Sequence, residues 1–182
     1  VLCLGFCAWL VLQPVAAAEP ERLQLLVSYH AGLAWRAAQN PGLQRVLERA
    51  RLPLVLRVDY LDTKHVTPTP EYYARVEQLL LAKYGSTPPR VLLATDDDAL
   101  DFALRMRERH FPQVPILFSG VSADRRADLR GRGNLTGVFD DVAIGDSLPK
   151  MLALLGSTRR VVVIHDQTRT SLAQAESLRG LA

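Results

Sequence analysis

From residue 23 onward, short blocks of consecutive apolar residues alternate with longer stretches whose apolar positions recur every three or four residues. Leu23-Gln24-Leu25-Leu26-Val27-Ser28-Tyr29 is the first block, and an apolar run of this length bounded by polar residues suits a strand buried on both faces. Leu54 to Tyr60, Val91 to Thr95, Val114 to Phe118, Leu135 to Phe139 and Arg160 to His165 predict further strands. Between the first two, Leu43, Val46 and Leu47 recur at helical spacing. Asn40-Pro41 is either the cap and first-turn residue of that helix, or the helix starts earlier and Pro41 lies inside it. Thr69-Pro70-Glu71 opens a helix with the apolar face Tyr73, Val76, Leu79 and Leu80, ended by Gly85 and Pro88-Pro89. Helices are also predicted from Ala99 to Arg109, near Arg125 to Arg130, from Leu148 to Leu155 and from Thr170 to Leu178.

Strands separated by single helices imply right-handed crossovers and a mostly parallel sheet covered on both sides. The predicted class is α/β, doubly wound. In such sheets ligands lie beyond the carboxyl ends of the strands, so the residues following each strand are the ones to inspect.

At 182 residues, 48% hydrophobic and 23% charged, the chain is globular in composition, which excludes a disordered, collagenous or multi-span membrane protein. Its front is different. Val1 to Leu12 is uncharged and apolar, and Val15-Ala16-Ala17-Ala18-Glu19 places small residues where signal peptidase cuts, after Ala18. Residues 1–18 therefore read as an export signal lacking its start, or as an anchor if uncleaved, and the body is expected in the periplasm. Both cysteines, Cys3 and Cys7, fall in this segment, so the body has no disulfide, thiol nucleophile or thiolate metal site. The net charge of +3 is small. Arg105, Arg107 and Arg109 alternate with Met106 and Glu108, and Arg125, Arg126, Arg130 and Arg132 lie among acids and glycines, a solvated face without the stacking platforms of a nucleic-acid site.

The first strand is followed by Ser28-Tyr29-His30-Ala31-Gly32-Leu33-Ala34-Trp35, the mixture of hydroxyl, aromatic and imidazole groups that a ligand-facing wall requires; alternatively Tyr29 and Trp35 only cover the sheet edge. Glycines form neither a dinucleotide fingerprint nor a phosphate loop. Thr95-Asp96-Asp97-Asp98 precedes a helix, where carboxylates cap backbone N–H groups and meet the positive end of the helix dipole. That accounts for one or two acids and leaves a surplus one. An ammonium or other cationic group on a small ligand fits Asp96 or Asp97 better than a metal, whose ligand spacing is missing even with Asp140-Asp141 included. Ser119-Gly120-Val121-Ser122 lets a ligand approach the backbone and lacks the G-x-S-x-G elbow. A serine triad from Ser119, Asp166 and one of the four histidines is possible only on paper.

Taken together, Ser28 to Trp35, then Asp59-Tyr60-Leu61-Asp62-Thr63-Lys64, then Asp96-Asp97-Asp98-Ala99-Leu100-Asp101-Phe102, then Phe111 to Val121 with Phe118-Ser119-Gly120-Val121 resemble the ABC-transporter substrate-binding family of type I periplasmic-binding folds. The resemblance is closer to the branch that forms extracytoplasmic input domains of sensor histidine kinases and diguanylate cyclases. It runs from about Leu23 to His165. Asn40-Pro41-Gly42 and His65 depart from the family pattern.

The resemblance implies a non-enzymatic, two-lobed receptor that closes on a small organic ligand: an amino acid, an amine or a purine-like compound. Residues 19–157 would form the first lobe and 158–182 the beginning of the second. Carried over, the ligand contacts are Ser28, Tyr29, Trp35, Asp97, Ser119, Gly120 and Asp141, with no cofactor and no metal. The implied partner is a membrane signalling domain, or an ABC permease if the protein is a free solute carrier. An exported hydrolase or metal-dependent enzyme using Asp96 to Asp98 is the alternative from another class.

Overall fold

A computed structural model describes residues 20–50, 53–85, 87–140 and 144–180, with the side chains of 34–40 and 144 outside that description. The export signal expected in residues 1–18 therefore lies outside the described residues, as does Asp141. Five strands, β1 (Glu21–Val27), β2 (Leu54–Tyr60), β3 (Val91–Thr95), β4 (Ile116–Ser122) and β5 (Leu135–Asp140), form one sheet in the order β2-β1-β3-β4-β5. Every neighbouring pair is parallel. The helices are α1 (Ala34–Ala50), α2 (Pro70–Tyr84), α3 (Asp97–His110), the short α4 (Arg126–Leu129), α5 (Ile144–Leu154) and α6 (Arg169–Arg179). The doubly wound α/β expectation is met.

The strand order reverses at β1. Right-handed crossovers then place α1 on one face and α2, α3 and α4 on the other. The second face holds the main core: Leu26, Leu92, Ala94, Ile116 and Phe118 from the strands pack with Leu80 of α2, with Leu100, Phe102 and Met106 of α3, and with Leu129 of α4. Toward β4 and β5 the α1 face is thinly covered, and Leu117 and Val138 stand exposed there.

Polar clamps fix α2 over this core. Glu77 of α2, buried, accepts a hydrogen bond from Arg105 Nε at 2.7 Å, and His110 Nε2 lies 2.7 Å from its other oxygen. Burial alone would raise the Glu77 pKa; the His110 and Arg105 contacts outweigh it and hold the carboxyl below its ordinary range. At the other end of the helix, Asp59 of β2 accepts from Gln24 Nε2 at 2.6 Å, from the Tyr84 hydroxyl at 3.0 Å and from Lys83.

One alternative is decided and two expectations are corrected. Pro41 lies inside α1, which starts at Ala34, so the reading in which the helix begins before Asn40 is the right one. The helix expected from Leu148 begins at Ile144 and runs through Pro149. Arg160 to His165, expected as a sixth strand, joins no strand ladder, with Ile164 94% exposed. A β-prone run is a strand only where a neighbour accepts its backbone hydrogen bonds, and among the described residues this one has no such neighbour. The N-cap at Thr69 behaves as its sequence predicts, the hydroxyl accepting from Tyr72 N–H at 3.2 Å.

Candidate functional site

The reversal at β1 leaves the carboxyl ends of β1 and β3 side by side, the position where open parallel sheets hold their ligands. Ser28 leaves β1 and turns inward, wholly buried. Its hydroxyl donates to the Thr95 carbonyl at 2.8 Å and accepts from the Ala99 N–H at 2.8 Å. Ala99 is the third residue of α3, so a side chain from another strand supplies the cap that Asp96, at the N-cap position, does not. Asp96 itself has φ +69°, and its backbone N–H reaches across to the Ser119 carbonyl at 2.9 Å.

Gly120 faces that carboxylate. Its φ is also +69°, and a methyl group there would lie 2.9 Å from Asp96 Oδ1, so glycine is required by both backbone and space. Asp97, buried at the first turn of α3, accepts from the Ser122 hydroxyl at 2.7 Å and backbone N–H at 3.3 Å, with Arg125 at 3.5 Å. Ser119 pairs with Thr95 in the β3–β4 register. Of the expected contacts, Ser28, Asp97, Ser119 and Gly120 are thus gathered at one sheet edge, where Ser28 and Asp97 serve the frame. Trp35 lies in the first turn of α1 with its side chain outside the described part.

Tyr29, the next residue, is half-buried, with Lys64 Nζ 5.0 Å from its ring centre. Burial, with the Asp96 charge adding to it, pushes its phenol up to about 12. Beyond Tyr29 opens a cleft of about 750 Å³, within the size range of small-ligand sites. The β2–α2 loop, Thr63 to Pro68, forms one wall. Tyr73, Asp98 and Asp101 form the floor, and Asp166 to Arg169 with Leu172 form the opposite wall.

Two ion pairs span it. Lys64 meets Asp166 at 3.2 Å and Arg169 meets Asp101 at 2.6 Å. Asp166 also accepts from the Thr168 N–H at 2.9 Å; Thr168, Ser171 and Lys64 together hold its carboxyl well below the ordinary range. Thr168 in turn caps α6 through the Ser171 N–H at 3.4 Å. The wall is therefore a capped helix start tied down at two points.

None of Ser28, Tyr29, Asp97, Ser119 and Gly120, the expected contacts whose side chains are described, lines this cleft. Thr63 and Lys64 appeared only within the family-like segments, Asp98 only as the surplus acid, and Asp166 only in the paper triad. Arg169 carried no signal, because the contact with Asp101 spans 68 positions. Each of the four histidines has a neighbour: His30 and His65 lie against one another with ring centres 4.9 Å apart, His65, on the cleft wall, meets Asp62 at 2.7 Å, His110 meets Glu77, and His165 Nδ1 lies 2.8 Å from the Asp166 carbonyl. Among the described residues no three His, Cys, Asp or Glu side chains are placed to hold a metal ion, and no helix is long and apolar enough to cross a membrane.

No protein-family model matches the chain, and no curated protein does. Solved structures do. A conserved domain protein from Vibrio cholerae superposes with a TM-score of 0.66 at 14% identity, over 89% of this chain and 53% of that one. The ligand-free, open structure of a substrate binding protein with adhesive properties from Clostridium difficile superposes with a TM-score of 0.56 at 15% identity, over 88% of this chain and 52% of that one. The likeness is one of fold, and the chain spans about half the length of these structures.

Proposed function

We infer that this chain is part of an extracytoplasmic, non-enzymatic module that binds a small organic molecule between two lobes, and that the module is the sensory input of a membrane signalling protein. Residues 19–157 are the first lobe in this reading, and 158–182 open the second. The supporting observation is the cleft bounded on one side by the β2–α2 loop, Tyr73 and the first turns of α3 and on the other by the start of α6. A ligand would drive closure through its greater affinity for the closed arrangement, and the Lys64–Asp166 and Arg169–Asp101 pairs are contacts across that opening.

The test is a compound screen by thermal shift on the whole ectodomain, followed by small-angle scattering of the hit. A ligand that raises the melting temperature and compacts the particle supports the reading; none across amino acids, amines, purines and organic acids sinks it. A free solute-binding protein of an ABC transporter is the second reading, favoured by the substrate binding protein among the structural neighbours. Sequence beyond the second lobe separates the two. A hydrophobic span of about 20 residues leading into a kinase or cyclase domain marks a sensor, and a stop codon marks a carrier.

A further inference from the structure

The cleft lining has three carboxylates, Asp98, Asp101 and Asp166, and two permanent cations, Lys64 and Arg169. Both cations are matched within the protein. Lys64 is held by Asp166 at 3.2 Å and Arg169 by Asp101 at 2.6 Å, while Asp101 also takes Arg125 at 2.7 Å. His65, on the same wall, is taken by Asp62 at 2.7 Å. Asp98 has no cation within ion-pair distance among the described residues. Its neighbour is the Thr63 hydroxyl, whose single proton is also claimed by the Ser28 carbonyl 3.0 Å away. The Tyr73 hydroxyl, beside it, donates to the Asp98 backbone carbonyl at 3.1 Å.

An anionic ligand would have to break a pair to find a cation here. A divalent metal needs several oxygen ligands at once, and the described residues offer no such group. An ammonium needs one carboxylate, with hydroxyl or aromatic neighbours, which is what Asp98, Thr63 and Tyr73 present. We propose that the ligand of this cleft carries a protonated amine and that Asp98 is the residue that binds it. The inference rests on the cleft being the ligand site. It moves the cation-binding role from Asp97, engaged by Ser122 and Arg125, to its neighbour. Burial pushes the Asp98 carboxyl above the ordinary carboxylate range, with the Asp101 and Asp97 charges adding to it, while the Thr63 hydroxyl and the Arg169 charge facing it from α6 pull it down.

The experiment is calorimetric titration of the whole protein near neutral pH with butylamine and 2-phenylethylamine, each against its alcohol, 1-butanol and 2-phenylethanol. The amines should bind at least about tenfold more tightly than the alcohols, the range of a charged hydrogen bond. Asp98→Asn should remove that preference with an unchanged circular dichroism spectrum, Asp98→Glu should keep part of it, and lowering the pH through the Asp98 titration should erase it in the wild type. Alcohols binding as well as amines, or a preference that survives Asp98→Asn, overturns the amine assignment and leaves the cleft as a binding site. Absence of binding by both series, together with failure of the broader screen, overturns the site itself.

Discussion

The edge of the sheet and the rim of the cleft above it use the same residue types in opposite ways. At the edge, Ser28 and Asp97 are buried, Arg125 is nearly so, and all three are bonded to neighbouring strand ends and helix starts. At the rim, Lys64, Asp166 and Arg169 are partly exposed and reach across an opening. A buried hydroxyl with both of its bonds made resists change because removal leaves a donor and an acceptor unsatisfied. A solvent-exposed pair exchanges easily with water, contributes little to stability, and can open. The difference separates what holds the loops in place from what is free to respond.

The scaffold should break first. Glu77→Ala removes the buried acid shared by Arg105, Arg109 and His110 and should cost about 3–5 kcal/mol in denaturant unfolding. The same group sets an acid limit. Its pKa is lowered on folding, so its contribution is present above the unfolded carboxylate pKa and is lost as pH falls through the folded value. Glu77→Gln should flatten that part of the stability profile; an unchanged profile would show the cluster to be inert.

Ser28→Ala should come next, at about 2–3 kcal/mol, from the two buried bonds it makes to Thr95 and Ala99. Hydrogen exchange should locate the loss at the first turn of α3; loss confined to the cleft rim would show that the hydroxyl serves a ligand and not the frame. Gly120→Ala should cost about 1–2 kcal/mol from its left-handed backbone alone, with a further penalty from the 2.9 Å approach to Asp96 Oδ1. The double variant with Asp96→Ala measures how much of that penalty is contact.

The smallest effect on stability belongs to the rim. Lys64→Met should shift unfolding by less than about 1 kcal/mol, yet change the salt dependence of ligand-induced compaction, because it removes one of the two pairs across the opening. A large stability loss without any change in compaction would place Lys64 in the scaffold and remove the distinction between edge and rim.

The pattern of apolar runs located β1 to β5 with small boundary shifts, since a strand buried in a parallel sheet needs a continuous apolar stretch whatever its neighbours. It misread Arg160 to His165 for the same reason: the run has the right residues, and strand formation needs a partner. The strand-end rule led to Ser28, Asp97, Ser119 and Gly120, and these do assemble at one edge. It did not say which would turn inward. Asp97 and Asp98 are neighbours of one type, yet one meets Ser122 and Arg125 while the other lines the cleft; successive positions at a helix start point in directions that only the packed neighbours make different.

The sequence by itself determined the alternation of strands and helices and the cap at Thr69, because these depend on hydrophobic period and on bonds a few residues long. The tertiary structure alone decided the strand order, the cap that Ser28 gives α3 across 71 positions, and the cleft that Arg169 and Asp166 complete from the start of α6. Those contacts join residues far apart in the chain, and nothing local in either partner encodes the other.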